Sequence, residues 1–151
     1  MRQWKSLEAI DAMATTLHRR HVDRSGEPYI EHCRAVARMT AENGGTLVQQ
    51  MAALLHDSVE DVDVTLKELI DLGVAPEVVV LVDAMSRRPE ESQQDYLNRL
   101  VTTPDAILIK RADIAHNSSP ERLDHLDGAT QERLRLKYAA ATATLDAADP
   151  R

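Results

Sequence analysis

Apolar residues recur at three- and four-residue spacing along most of this chain, and that period dictates helix more firmly than any other feature. Leu7, Ile10, Ala14 and Leu17 form one such stripe, and Ile30, Cys33, Val36 and Ala37 form another. The spacing predicts a first helix over about Trp4–His21 and a second that opens at Pro28 and runs to about Ala41. Asn43-Gly44-Gly45 then stops it. A third helix is expected from Leu47 to about Ser58. Thr65-Leu66-Lys67-Glu68 reads as a capping box for a short helix that ends at Gly73. Val78-Val79-Val80-Leu81-Val82 has strand propensity, but Val74, Val78, Leu81, Val82 and Met85 also fit a helical stripe, and helix is the reading taken. Further helices are expected over about Gln93–Val101, Pro104–His116 and Thr130–Ala147.

Composition agrees. Five Gly and six Pro in 151 residues are too few for a turn-rich sandwich or barrel. Phe is absent and aromatic residues make up only 3%, so Leu, Ile, Val, Ala and Met must fill the core. No repeat, linker or low-complexity tract divides the chain. The expectation is an all-α fold, one compact helical domain over residues 1–151. A net charge of −7 argues against coating nucleic acid. The N-terminus lacks a signal peptide's apolar stretch, and Val78–Val82, the longest strongly apolar run, is too short for a membrane span. A single Cys excludes an internal disulfide framework. A cytoplasmic protein is expected, with no membrane or nucleic-acid partner.

The chemistry is concentrated in His56-Asp57-Ser58-Val59-Glu60-Asp61, which follows the apolar Met51-Ala52-Ala53-Leu54-Leu55. A buried helix thus delivers four ionisable side chains at its end. In a continuous helix His56 and Glu60 share a face, as do Asp57 and Asp61. Burying such a cluster uncompensated is costly, and a divalent cation is the simplest compensation. A polar helix end with a solvated acidic loop is the bland alternative.

Two other stretches carry similar residues: Ser25-Gly26-Glu27-Pro28-Tyr29-Ile30-Glu31-His32, and Ile109-Lys110-Arg111-Ala112-Asp113-Ile114-Ala115-His116-Asn117. The order His32, His56-Asp57, Asp113 resembles the metal-binding signature of the HD-domain phosphohydrolases. The finer pattern is similar to the (p)ppGpp hydrolase domain of the Rel/SpoT enzymes and the animal-type small alarmone hydrolases. This resemblance implies an HD-type helical bundle whose metal ligands are His32, His56, Asp57 and Asp113. It implies one divalent metal, with Mn²⁺ favoured; mixed nitrogen and oxygen ligation without thiolate is compatible with that ion. Glu60 and Asp61 match the acidic pair that positions the attacking water and handles protons. Arg24, Ser25 and Asn117 match nucleotide-contacting positions. The implied reaction is removal of pyrophosphate from the 3′ position of (p)ppGpp, giving GDP or GTP, so the expected partner is a nucleotide substrate.

The chain departs from the alarmone pattern at two places. Asp23-Arg24 stands where two consecutive basic residues are common, and Ser118-Ser119-Pro120-Glu121-Arg122 replaces a Met-Arg-Thr-Leu type of sequence. These departures leave open an HD-type phosphatase or nucleotidase acting on a different nucleotide. A nucleotide-sensing module without catalysis is the alternative from another class. Among the other conspicuous residues, His18 is expected to pack between helices, Tyr29 to pack, Cys33 to be a buried inert thiol, and His116 to point away from the metal face.

Overall fold

A computed structural model describes residues 3–24 and 26–149. Among these, ten helices are formed, and the only extended pairing is an isolated antiparallel bridge between Val22 and Pro28. The helices are α1 (Leu7–Leu17), α2 (Ile30–Glu42), α3 (Leu47–Leu55), α4 (Ser58–Asp61) and α5 (Leu66–Asp71), followed by α6 (Pro76–Met85), α7 (Gln93–Leu100), α8 (Pro104–Asn117), α9 (Pro120–Leu123) and α10 (Gly128–Ala148).

Local chemistry sets most of the helix boundaries. Ser6 caps α1 by accepting the Ala9 N–H, so the helix starts at Leu7 instead of Trp4. Reciprocal capping boxes open α3, between Thr46 and Gln49, and α5, between Thr65 and Glu68. Gly73, at φ +100°, takes the left-handed conformation that ends α5, where a side chain would be strained. Pro76, Pro104 and Pro120 occupy the first turns of α6, α8 and α9, where no amide proton is needed. The valine run lies inside α6, as its helical stripe requires.

The third predicted helix is corrected by the structure. It does not continue to Ser58: the chain leaves helical geometry at Asp57 (φ −100°, ψ 0°), and α4 begins after it. Side chains take over the carbonyls that the break would orphan. His56 Nδ1 donates to the Ala53 carbonyl at 2.6 Å, and Ser58 Oγ donates to the Leu55 carbonyl at 2.7 Å.

α2 packs on α3 and α8, α3 also on α1 and α6, and α10 lies across α7 and α8. Ile10, Val36, Leu55, Leu69, Val78, Leu97, Leu100, Ile109 and Leu145 are fully buried at the centre. Each contributes about 1.5–3 kcal/mol by leaving water. The core is aliphatic, as the composition demands. Tyr96 is its aromatic member, and its hydroxyl donates to the Met85 carbonyl. Cys33 is buried, and burial pushes its thiol up to about 12, so it is inert. No helix among the described residues is long and apolar enough to cross a membrane.

Candidate metal centre

Three helices bring His32, His56, Asp57 and Asp113 to one point. His32 stands in the first turn of α2, Asp113 in the last turns of α8, and His56-Asp57 at the break between α3 and α4. That break turns both side chains of the pair toward the same point. His32 Nε2 lies 3.0 Å from Asp113 Oδ1 and 3.7 Å from Asp57 Oδ2. His56 Nε2 lies 3.0 Å from Asp57 Oδ2 and 3.2 Å from Asp113 Oδ1. One donor atom from each of the four residues falls within 4.8 Å of the others.

Each member is held from behind. The Ala53 carbonyl can only accept, so His56 Nδ1 carries a proton and Nε2 is the atom turned inward. His32 Nδ1 meets His116 Nδ1 at 2.7 Å, the two rings edge to edge and 24° from coplanar. Tyr29 donates its hydroxyl to Asp57 Oδ2 at 2.5 Å. Asp113 accepts from Asn117 Nδ2 on Oδ1 and from the ammonium of Lys110 on Oδ2, both at 3.0 Å.

Charge is paired throughout. Burial works against a proton on His56, but the Asp57 and Asp113 carboxylates hold its pKa well above the usual histidine range. Burial would raise the Asp57 carboxyl, yet His56 brings it down to about 2. Asp113 is likewise held well below the carboxylate range, by Lys110 and His56 against burial. Two inward imidazole nitrogens and two ionised carboxylates, each oriented by an outer partner, fit a divalent cation with mixed nitrogen and oxygen ligation.

Glu60 and Asp61 follow on α4 and open onto the same cavity, of about 440 Å³. The main-chain N–H of Arg87 donates to Glu60 Oε1. Crowding by protein raises the Glu60 carboxyl. The same desolvation, reinforced by the charges of Asp57 and Glu60, pushes Asp61 up to about 7. Arg24 and Asn117 line this cavity too, whereas Ser25 lies outside the described residues. Further cations enter from elements to which sequence reading assigned no site residue: Arg87 before α7, Arg122 on α9 and Lys137 on α10. Asp23 pairs with Arg122 at 3.4 Å, so the carboxylate that departs from the alarmone pattern has a guanidinium facing it.

Two expectations about neighbouring residues are extended. His116 lies off the metal face, yet its ring meets the outer edge of His32 through the two Nδ1 atoms. Tyr29 packs, on the ring of His21, but it also grips Asp57. His18 does pack between helices; it is buried, and burial lowers its pKa to about 4. Lys110 was missed. Its place three residues before Asp113 on one helix is the signal that could have found it.

Comparison with known proteins agrees with this geometry. The family model described as "HD domain" matches residues 11–119, which include all four converging residues. This chain belongs to the HD domain family. The family and the His/Asp group together point to a divalent metal. The mouse guanosine-3′,5′-bis(diphosphate) 3′-pyrophosphohydrolase is 38% identical over 120 residues, covering 74% of this chain and 66% of that protein. The Vibrio cholerae protein of the same activity name is 38% identical over 126 residues, covering 76% of this chain but 18% of its own length. A probable GTP pyrophosphokinase of Mycobacterium leprae is 35% identical over 114 residues, 70% of this chain and 14% of that protein. The chain therefore spans less than a fifth of these long relatives. A solved structure, described as a metazoan ortholog of SpoT that hydrolyzes ppGpp, superimposes with a TM-score of 0.76 at 22% identity. The match covers 92% of this HD domain chain and 84% of that one, and it establishes the shared fold.

Proposed function

We propose that this HD domain is a metal-dependent phosphohydrolase that removes pyrophosphate from the 3′ position of (p)ppGpp. The observation that carries the proposal is a compact His/Asp cluster at the floor of a cavity with cationic walls. The activity names of the mouse and Vibrio cholerae relatives supply the substrate. His32, His56, Asp57 and Asp113 would hold the cation, with Mn²⁺ favoured by resemblance and compatible with two imidazole and two carboxylate donors. A divalent cation there supplies Lewis acidity, lowering the pKa of coordinated water and neutralising phosphoryl charge.

The remaining work belongs to the chain. Glu60, held by the Arg87 amide, and Asp61, with its raised pKa, orient the attacking water and carry its proton. Arg24 and Asn117, with Ser25 by resemblance, contact the nucleotide. Arg24, Arg87 and Lys137 offset phosphate charge within a chain that is acidic overall.

One observation favours a second reading, an HD-type phosphatase or nucleotidase for another nucleotide. Asp23, paired with Arg122, stands in place of one of the two consecutive basic residues, and the Ser118 and Ser119 hydroxyls are spent on the Ile114 and His116 carbonyls. Product analysis separates the two. Wild type, Asp57→Ala and Glu60→Ala are incubated with Mn²⁺ and ppGpp, pppGpp, their adenosine counterparts, NADPH and nucleoside monophosphates. Pyrophosphate released from ppGpp by wild type alone supports the first reading. Orthophosphate from another nucleotide supports the second, and no turnover with no metal bound refutes both.

A further inference from the structure

Two nitrogens facing each other at 2.7 Å share one proton, because two protons between them would collide. The Nδ1 atoms of His32 and His116 are such a pair, and which ring owns the proton decides what the opposite edge of His32 can do. His32 is 2% exposed, so water cannot substitute for the partner. Its Nε2 is the atom that faces Asp57, Asp113 and His56. That nitrogen offers a lone pair to a cation only if the neutral ring keeps its proton on Nδ1. His116 Nδ1 must then accept, which leaves the His116 proton on its own Nε2.

We infer that His116 is a positioning residue: its Nδ1 accepts from His32 Nδ1–H, fixing the tautomer and ring angle in which His32 Nε2 is available to a metal. The inference rests on the metal-dependent reading above. Outer partners of metal-binding histidines are commonly carboxylates, carbonyls or water, and His56 has such a carbonyl in Ala53. A second imidazole in this role is less usual. It stays in place because the two rings meet edge to edge, 24° from coplanar with centroids 5.0 Å apart, and because its neighbour Asn117 is bonded to Asp113 on the same helix. The end of α8 thereby orients two of the four converging residues at once, Asp113 through Asn117 and His32 through His116.

The test measures metal binding on the full chain without substrate. Mn²⁺ is titrated calorimetrically into wild type, His116→Leu, His116→Gln and, as a control, His32→Ala, with circular dichroism to establish folding. His116→Leu fills the ring's space but cannot accept, and its Mn²⁺ affinity should fall about 10–100-fold. His116→Gln restores an acceptor and should recover to within roughly threefold of wild type. On protein loaded with Zn²⁺, which is diamagnetic, long-range ¹H–¹⁵N spectra should show His32 protonated at Nδ1 and His116 at Nε2. Wild-type affinity in His116→Leu overturns the inference. Equal losses in both variants also overturn it, since ring packing rather than the hydrogen bond would then matter. If His116→Leu does not fold, the Gln variant and the spectra decide, and a His116 proton on Nδ1 is the refuting signal. A wild type that binds no more metal than His32→Ala refutes the metal reading itself, an outcome distinct from the others.

Discussion

Replacing Lys110 with Met should destabilise the metal-free protein and at the same time tighten its grip on metal. The ammonium lies 3.0 Å from Asp113 Oδ2, with the two side chains only 13% and 8% exposed. At an effective dielectric near 20, unit charges at that distance attract by about 5.5 kcal/mol. Desolvating the ammonium offsets part of this, and removing one member of a buried pair typically costs about 3–5 kcal/mol. Asp113 would keep Asn117 and the two imidazoles, so the lower end applies, about 3 kcal/mol. For a chain of this length that is a fall in Tm of roughly 6–12 °C. A divalent cation in the cluster would compensate the abandoned carboxylate and would no longer be repelled by the ammonium. In saturating Mn²⁺ the deficit should therefore shrink to about 1 kcal/mol, and the difference corresponds to roughly 30-fold tighter binding by the variant. Urea denaturation with and without Mn²⁺, together with calorimetric titration, closes the cycle independently. A deficit that stays equal or widens in Mn²⁺ would show that Lys110 does not act by neutralising Asp113.

Other outcomes follow from the same structure. Tyr29→Phe removes the hydroxyl that grips Asp57 while keeping the ring on His21, so Mn²⁺ affinity should fall about tenfold with little change in fold; unchanged affinity in a titration would contradict this. Glu91 is depressed from 4.5 to about 2, chiefly by its hydrogen bonds from Arg99. A depressed carboxyl contributes stability above its unfolded value and loses that contribution as pH falls through the folded value. Urea midpoints of wild type and Glu91→Gln should therefore converge between pH 4.5 and about 2, and parallel curves would refute the assignment. Leu100→Ala, at a fully buried position, should cost about 2–5 kcal/mol by opening a cavity, read from chemical denaturation; a loss under about 1 kcal/mol would mean that the site collapses freely.

The helices were legible because their signals are local. The Thr65–Glu68 capping box, the prolines opening α6 and α8 and the three- and four-residue stripes need no tertiary context. The interruption at His56-Asp57 was not legible, because no Gly or Pro marks it. Two side chains, His56 and Ser58, bond back to carbonyls and make it tolerable. The four residues of the HD signature could be singled out from their types and order, and the structure brings them together. Tyr29 and His116 could not, since their partners lie 28 and 84 residues away and no spacing rule links them. Lys110 had a readable spacing to Asp113, but nothing in the sequence told that a charge there would be buried.

The walls of the cavity have two origins along the chain. The His/Asp cluster, Glu60 and Asp61 all fall within residues 11–119, the stretch matched as HD domain. Arg122, Lys137 and Tyr138 come from α9 and α10, beyond it, and α10 is fastened to α8 by Arg111, which bonds Asp146 and the Asp149 carbonyl. Part of the cavity wall is thus encoded apart from the His/Asp floor, while Arg24, Arg87 and Asn117 come from the HD stretch itself. Grafting the last thirty or so residues of another HD protein onto this one, with the Arg111 anchor preserved, would change that part of the wall while leaving the His/Asp floor intact. Drift in that C-terminal block would reshape the cavity without disturbing its floor.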